Sequence, residues 1–255
     1  MKIVIKVGTS TLAHSTGKMN IRRVEELCKV LSDLKNAGHE IVLVSSGAIG
    51  MGMGKLHLNE RPRDLAMKQA AAAVGQCELM YIYDKLFAEY NHTVAQLLLD
   101  AEDFRHDDRH RNFENTVGKL LEMGVIPIIN ENDTVTTKEI EFGDNDTLSA
   151  LVAVSVGAEL LVILSDIDGL YTDNPRVNKN AKLIPHVYEL TDDIISLGGD
   201  AGSSLGTGGM CTKLRAAGIV LEGGCDMIIA NGANPLCLYD ITDGLDVGTR
   251  FHAKK

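Results

Sequence analysis

The chain has 255 residues, 45% of them apolar and 24% charged, which is the balance of a folded globular protein and excludes intrinsic disorder. With 25 Lys and Arg against 35 Asp and Glu, its net charge of −10 argues against non-specific binding to nucleic acid or to anionic membranes. Five scattered cysteines without a CxxC pair, an N-terminus unlike a leader and the lack of any apolar run of ~20 residues point to a reduced cytoplasmic protein without a disulfide framework, a zinc site or a membrane span.

Short β-branched runs alternate with helical periodicity along the chain. Residues 2–7 read as a buried strand. Ile21, Val24, Leu27, Leu31 and Leu34 then recur every three or four positions, predicting an amphipathic helix with Asn20 as its N-cap and Gly38 as its stop. Residues 40–45 form a second strand. Residues 65–90 are mostly helical, with a break expected near Gly75. Strands at 92–99 and 125–129 flank a helix at 109–123. A hairpin is expected over 135–142, a helix over 148–156 and a strand over 159–164. A helix at 210–222 and a strand at 226–230 follow. Strands separated by connections long enough for crossovers make an α/β sandwich with a mainly parallel central sheet.

Ligands of such sheets gather at the carboxyl ends of the strands, so the segments that follow each strand carry the chemistry. Lys6 stands inside an apolar strand just before Gly8, where a charge needs a partner or a way out to water. It suits either an edge lysine or a cation aimed at phosphate oxygens. Ser45, Ser46, Gly47 and the glycines up to Gly54 open toward a helix, which fits anion capture by backbone N–H groups or an ordinary turn. Asn130-Glu131-Asn132-Asp133 and Gly143-Asp144-Asn145-Asp146 flank the expected hairpin. They read as turn and cap residues, or as acceptors for an ammonium group with an acidic residue that orients lysines or a metal.

Ser165-Asp166-Ile167-Asp168-Gly169-Leu170-Tyr171 leaves a buried strand in a way that suits a nucleotide site or a β-turn. The Gly-rich run Gly206-Thr207-Gly208-Gly209-Met210-Cys211-Thr212-Lys213 enters a helix, where glycines allow close backbone approach and Lys213 supplies a point charge. His106 and His110, four apart, have the spacing of a helical metal pair but sit among charged residues that read as a solvated turn. Neither Ser46 nor Cys211 has a recognisable base. Two lysines in phosphate-friendly settings, two Gly-rich loops and two acidic clusters without a nucleophile–base set fit phosphoryl transfer, which needs positioning and charge neutralisation rather than covalent catalysis.

The stretches IKVGTS (5–10), VSSGAIGMG (44–52), AAVGQ (72–76), PIINENDTV (127–135), EFGDNDTLSAL (141–151), LSDIDGLYTDNPR (164–176), LGTGGMCTKLRAA (205–217) and GTRFHA (248–253) resemble the amino acid kinase family, and within it the branch that phosphorylates the γ-carboxylate of glutamate. The resemblance spans essentially the whole chain. It implies a three-layer αβα sandwich forming a single kinase domain, with glutamate held by about 1–157 and ATP by about 158–255. Lys6 and Lys213 would stabilise the transferring phosphoryl group, and Asp146 would orient them. Ser46, Gly47, Asp133 and Asn145 would hold glutamate, with Asn130 and Asp144 as secondary candidates. Lys6, Ser165, Asp166 and the run Thr207, Gly208, Gly209, Met210, Cys211, Thr212 and Lys213 would contact ATP.

Magnesium would bridge the phosphates. The acyl phosphate product would pass to glutamyl phosphate reductase, proline would act as feedback inhibitor, and a dimer or tetramer is expected. An acidic acceptor region suits a free ammonium group better than N-acetylglutamate or UMP. Another small-acceptor kinase of this fold and a non-catalytic amino-acid or nucleotide sensor remain as alternatives. Two departures from the family pattern stand out. The chain stops before the C-terminal PUA domain of many members, so no RNA role is expected. Cys211 stands where a serine is expected, which makes its loop a candidate for oxidation sensitivity.

Overall fold

The computed structural model describes residues 1–14, 18–58, 60–135, 145–199 and 209–254. The chain runs β1 (Lys2–Val7), α1 (Thr9–Leu12), α2 (Ile21–Asn36), β2 (Glu40–Ser45), α3 (Ala48–Lys55) and α4 (Leu65–Ala88). It continues through β3 (Val94–Leu99), a 3₁₀ turn (Ala101–Phe104), α5 (Asp107–Glu122), β4 (Ile126–Glu131), α6 (Asn145–Ser155) and β5 (Leu160–Ser165). It ends with β6 (His186–Val187), α7 (Asp192–Ser196), α8 (Met210–Glu222), β7 (Asp226–Asn231), α9 (Cys237–Thr242) and β8 (Thr249–Phe251).

The strands form one sheet in the order β3-β4-β2-β1-β5-β7-β8-β6. Every pairing among the described strands is parallel except β7 with β8. The mainly parallel sandwich read from the sequence is the observed architecture. Strands β1, β2, β4 and β5 are buried on both faces, which is why their sequences read as near-continuous apolar runs. Alternation along each strand sorts the core into two layers. Ile3, Ile5 and Val7 pack with Leu27 and Leu31 of α2 and with Tyr83 and Phe87 of α4. Val4, Val44 and Ile163 pack with Leu148 and Val152 of α6 and with Ala217 and Val220 of α8. Lys6 therefore shares Val4's face of β1, toward α6 and α8.

Helix α2 begins as expected, with the Asn20 side chain accepting from Arg23 N at 3.2 Å. Gly38 takes φ +96° just past the end of α2, a conformation that glycine reaches without penalty. The expected break near Gly75 does not occur, because α4 is continuous from Leu65 to Ala88. A Cβ on Gly75 would run into the Ala48 carbonyl and the Gly52 nitrogen, and one on Gly52 would run into the Ala71 carbonyl. These glycines let α3 and α4 touch backbone to backbone. That packing outweighs the ~1 kcal/mol by which glycine disfavours a helix relative to alanine.

Two other boundaries shift for a shared reason. Helix α6 starts at Asn145, three residues before its apolar periodicity, and β4 runs to Glu131, past its apolar run. The added residues are polar yet partly or wholly buried. Strands β6 and β8, of two and three residues, are too short for periodicity to show. The hairpin expected over 135–142 lies outside the described residues, apart from Val135 in a turn. No helix among the described residues is long and apolar enough to cross a membrane.

Gly75→Ala is expected to lower stability in urea by about 1–3 kcal/mol, since the new methyl forces α3 away from α4. Gly118→Ala, in an exposed turn of α5 with open space around the added carbon, is expected to raise it by about 0.5–1 kcal/mol. Equal shifts for the two variants would show that helix propensity, and not the α3–α4 crossing, decides what Gly75 does.

Candidate active site

Asp146 lies in the first turn of α6, at the carboxyl edge of the sheet, and is fully buried. Its Oδ1 pairs with Lys6 Nζ at 2.6 Å, and its Oδ2 pairs with Lys213 Nζ at 3.0 Å. The single hydrogen of the Thr212 hydroxyl is shared between the same Oδ2 at 2.9 Å and the Gly209 carbonyl at 2.7 Å. Lys6 and Lys213 are 8% and 5% exposed, so both cations are withdrawn from bulk water. Burial would push the Asp146 carboxyl up. The opposing pull of the Lys6 and Lys213 charges and their hydrogen bonds is stronger, and it holds the carboxyl well below the usual carboxylate range. The helix N-terminus adds a partial positive charge in the same sense. One carboxylate and two ammonium groups leave a fixed surplus of one positive charge.

Asn145, one residue earlier, faces the other loops. The two hydrogens of its Nδ2 are shared among the Ser45 carbonyl at 3.0 Å, Ser46 Oγ at 2.8 Å and Asn130 Oδ1 at 2.9 Å. Asn130 Oδ1 also accepts from the Glu131 backbone N–H at 2.9 Å, and Asn130 Nδ2 donates to Gln76 Oε1 at 2.8 Å. Behind this network Ser45 Oγ lies 2.9 Å from the hydroxyl of the fully buried Tyr83. Burial pushes that phenol up, so it stays protonated. Gly47 turns the chain from β2 into α3 at φ +101°. Asp133 follows β4 in a turn at the same edge of the sheet.

Ser165 closes β5 and is 7% exposed, with its Oγ 3.4 Å from Asp166 Oδ1. The Asp166 carboxylate is exposed and paired with Arg176 at 2.8 Å. Nearby, Asp168 accepts from Asn231 Nδ2 at 2.7 Å and from the Tyr171 hydroxyl at 2.8 Å. These two hydrogen bonds, the Asn231 one foremost, lower the Asp168 carboxyl. Gly209 caps α8, which Met210 and the exposed Cys211 begin.

The structure thus brings Lys6, Asp146 and Lys213 together, and joins Ser46, Asn130 and Asn145 in a second, adjoining network. Asp144, Thr207 and Gly208 lie outside the described residues. Sequence reasoning missed Gln76 and the role of Thr212. Gln76 was visible only as the last letter of AAVGQ, and Thr212 was read only as part of the phosphate loop, whereas its hydroxyl also reaches Asp146. His110 Nε2 lies 2.6 Å from Ser155 Oγ, and among the described residues there is no group of three or more His, Cys, Asp or Glu that could hold a metal.

The model of the amino acid kinase family matches residues 1–231. A glutamate 5-kinase of Clostridium perfringens is 53% identical over 100% of this chain and 96% of its own length. One from Clostridium acetobutylicum is 52% identical over 99% and 95%. One from Caldanaerobacter subterraneus is 53% identical over 98% of this chain and 68% of its own length. Among solved structures, an isopentenyl phosphate kinase of T. acidophilum superposes with a TM-score of 0.69 at 15% identity, covering 99% of this chain and all of that one. A UMP kinase of Bacillus anthracis does so at 0.66 and 16%, covering 100% and 96%. At these low identities the two structures establish the shared fold alone.

Asp146→Asn leaves two buried ammonium groups without their counter-charge and is expected to cost about 3–5 kcal/mol of stability at pH 7. The carboxyl titrates lower in the folded chain than in the unfolded one. Its stabilisation is therefore complete above the unfolded value of about 3.9 and is lost as pH falls through the folded value. Urea titrations of parent and variant between about pH 7 and pH 3 should show the gap between them closing only in acid. A gap independent of pH would mean that Asp146 is not held as a carboxylate.

Proposed function

The chain belongs to the amino acid kinase family, and we propose that it carries out the reaction of its glutamate 5-kinase relatives. It transfers the γ-phosphoryl group of ATP to the γ-carboxylate of L-glutamate, giving L-glutamyl 5-phosphate and ADP, the first step of proline biosynthesis. The observation that carries this reading is 53% identity, over the whole chain, to a protein of that name. The alternatives left open by the sequence, another acceptor or a sensor without turnover, are not favoured.

Within this reading, the chemistry needs no base. A glutamate side chain with an ordinary pKa near 4.3 is already ionised at neutral pH, so its oxygen attacks the γ-phosphorus without losing a proton. The new C–O–P linkage forms as the bond from phosphorus to the bridging oxygen breaks, and ADP departs with the electron pair. The difficulty is charge: an anion attacks an anion inside an anionic protein. Lys6 and Lys213, prearranged by Asp146, would neutralise the oxygens around the transferring phosphorus, where fixed cations in a dry site act most strongly. Ser46, Gly47, Asp133 and Asn145 would hold glutamate, with Asn130 and Asp144 beside them. Ser165, Asp166 and the run 207–213 would hold ATP.

A divalent metal accompanies ATP in kinases of this family, and we assign it as magnesium. Both Asp146 oxygens are engaged by ammonium groups, and the described residues gather no ligand cluster. The phosphates and water would therefore supply the ligands of magnesium, in keeping with its reluctance to shed its water shell. When bound, it draws negative charge off the phosphate oxygens. We further propose a single cytoplasmic kinase domain, with a glutamate half at about 1–157 and a nucleotide half at about 158–255. It would assemble as a dimer or tetramer, answer to proline and hand its labile product to a reductase.

Hydroxylamine converts an acyl phosphate to a coloured hydroxamate. Hydroxamate is expected with L-glutamate and Mg-ATP, and not with N-acetylglutamate, L-aspartate or UMP. ADP release with UMP and no hydroxamate would keep the fold and change the substrate. Lys213→Ala is expected to slow hydroxamate formation by about 10²–10³-fold in protein that still unfolds cooperatively. An unchanged rate would remove the lysine from the reaction. Proline is expected to shift the glutamate saturation curve to higher concentration, and superimposed curves with and without it would exclude feedback at this site.

A further inference from the structure

Two backbone groups decide the polarity of the buried amide chain at the acceptor loops. The Glu131 N–H can only donate, so the atom of Asn130 that lies 2.9 Å from it is Oδ1. The opposite edge of that amide, Nδ2, then points to Gln76 at 2.8 Å, and Gln76 must meet it with Oε1. The Ser45 carbonyl can only accept, so the atom of Asn145 that lies 3.0 Å from it is Nδ2. The same Nδ2 reaches Asn130 Oδ1 at 2.9 Å and Ser46 Oγ at 2.8 Å. The main chain thus sets the sense of Asn130 and Asn145 directly, and that of Gln76 through Asn130.

The chain of donors ends on an orphan. Asn145 Oδ1 is buried and has no hydrogen-bond partner among the described residues. A buried acceptor left unmade is costly, and a ligand that brings a donor removes the cost. An ammonium group brings three donors and no acceptor. Ser46 Oγ, accepting from Asn145, keeps its own O–H to give to an acceptor such as a carboxylate. Had Asn145 been turned over, it would offer an NH₂ at the same place and favour a ligand without an amine.

We infer that Gln76 is a positioning residue that holds the Asn130 amide where it steadies Asn145, and that through these two it helps the acceptor subsite select a free amino group. The inference rests on the glutamate reading above for the identity of the substrate. Gln76 is 7% exposed, and its Oε1 accepts from Asn130 Nδ2 at 2.8 Å. It follows Gly75 on α4, so the glycine that admits α3 also sets the depth at which Gln76 meets Asn130. Without an acceptor at 76, Asn130 Nδ2 becomes a buried orphan donor. Asn130 then shifts to bring that nitrogen to water or to another acceptor, and Asn145 loses the partner that steadies its Oδ1 where the amine is to bind.

Two variants separate this role from a merely structural one. Gln76→Glu keeps an oxygen acceptor of the same reach, and Gln76→Met keeps the volume without it. Each is assayed as hydroxamate from L-glutamate and from glutarate, which lacks the amine. Gln76→Met is expected to raise the KM for glutamate about tenfold or more and to erode the preference for glutamate over glutarate by a similar factor. Its KM for ATP should stay within about twofold, and Gln76→Glu within about threefold of the parent throughout. An equal loss on both acceptors, or failure of Gln76→Glu alongside Gln76→Met, would overturn the inference.

The ¹⁵N side-chain amide resonances of Asn130 and Asn145 provide a readout without turnover. Slow hydrogen exchange is expected in the parent and in Gln76→Glu, and faster exchange in Gln76→Met. A parent that makes no hydroxamate from glutamate, yet shows this exchange pattern, would retain the relay and lose the substrate. An active parent whose amides exchange alike in all three proteins would retain the substrate and lose the relay.

Discussion

The carboxylate of Asp146 is the constraint on which the rest of the site depends. It lies out of water, bound to two ammonium groups that are themselves nearly out of water. Removing the carboxylate leaves two like charges uncompensated in a medium where that costs several kcal/mol, whereas removing either lysine leaves a neutral pair and takes away the surplus. Lys6 comes from the centre of the sheet, Lys213 from a helix more than two hundred residues later, and Asp146 from between them in sequence. Folding must therefore bring three distant segments into register before any of these charges is tolerable. The surplus positive charge that results is fixed in direction, which a mobile surface lysine is not. That matters in a chain of net charge −10, because only a local, preoriented field can favour anions against the field of the whole protein.

The fold meets this demand with ordinary means. Parallel pairing of β1 with β2 and β5 buries β1 on both sides and brings Lys6 to the carboxyl edge with its side chain toward α6 and α8. The first turn of α6 arrives at the same edge. Its two leading residues divide the work: Asp146 turns to the lysines, and Asn145 turns to the loops that follow β2 and β4. A shift of that turn would disturb both networks together, so the acceptor and phosphoryl halves of the proposed site share one structural origin. The cost is visible in α6 itself, whose opening residues give up apolar periodicity to carry polar groups into the interior.

That cost also explains what could be read from the sequence. Strands β1, β2 and β5 were legible because burial on both faces leaves an uninterrupted β-branched run. Lys6 was legible because a charge inside such a run calls for a partner, and Lys213 because it follows a Gly-rich entry into a helix. Asp146 stood out only through its cluster and the family resemblance, since an acidic residue at a helix start is usually no more than a favourable end charge. Gln76 was not legible. A glutamine in an Ala-rich helix reads as surface, and its partner Asn130 is more than fifty residues away. Gly75 misled because local propensity treats glycine as a breaker. The close approach of α3 that reverses its meaning is a tertiary fact. Thr212 was singled out for its Gly-rich, phosphate-friendly setting, and the approach of its hydroxyl to Asp146 is a tertiary contact that its neighbours in sequence do not announce.

The contrast between the two networks bears on how such a site discriminates. Around Asp146 the groups are charged; around Asn145 they are amides, hydroxyls and main-chain atoms. In the proposed reaction the attacking atom is itself an anion, and a cation placed on it would stabilise the substrate before transfer as much as during it. Binding of that kind lowers KM without raising the rate of the chemical step. Neutral donors and acceptors can fix the head of an amino acid by direction alone, because a missing or reversed hydrogen bond in a buried site costs more than a made one contributes. The positive charge is then kept for the transferring group, where negative charge has to be accommodated as bonds form and break. Direction on one side and charge on the other are joined at consecutive residues of one helical turn, so discrimination among acceptors and stabilisation of the transfer can be varied by separate substitutions while the sheet beneath them stays the same.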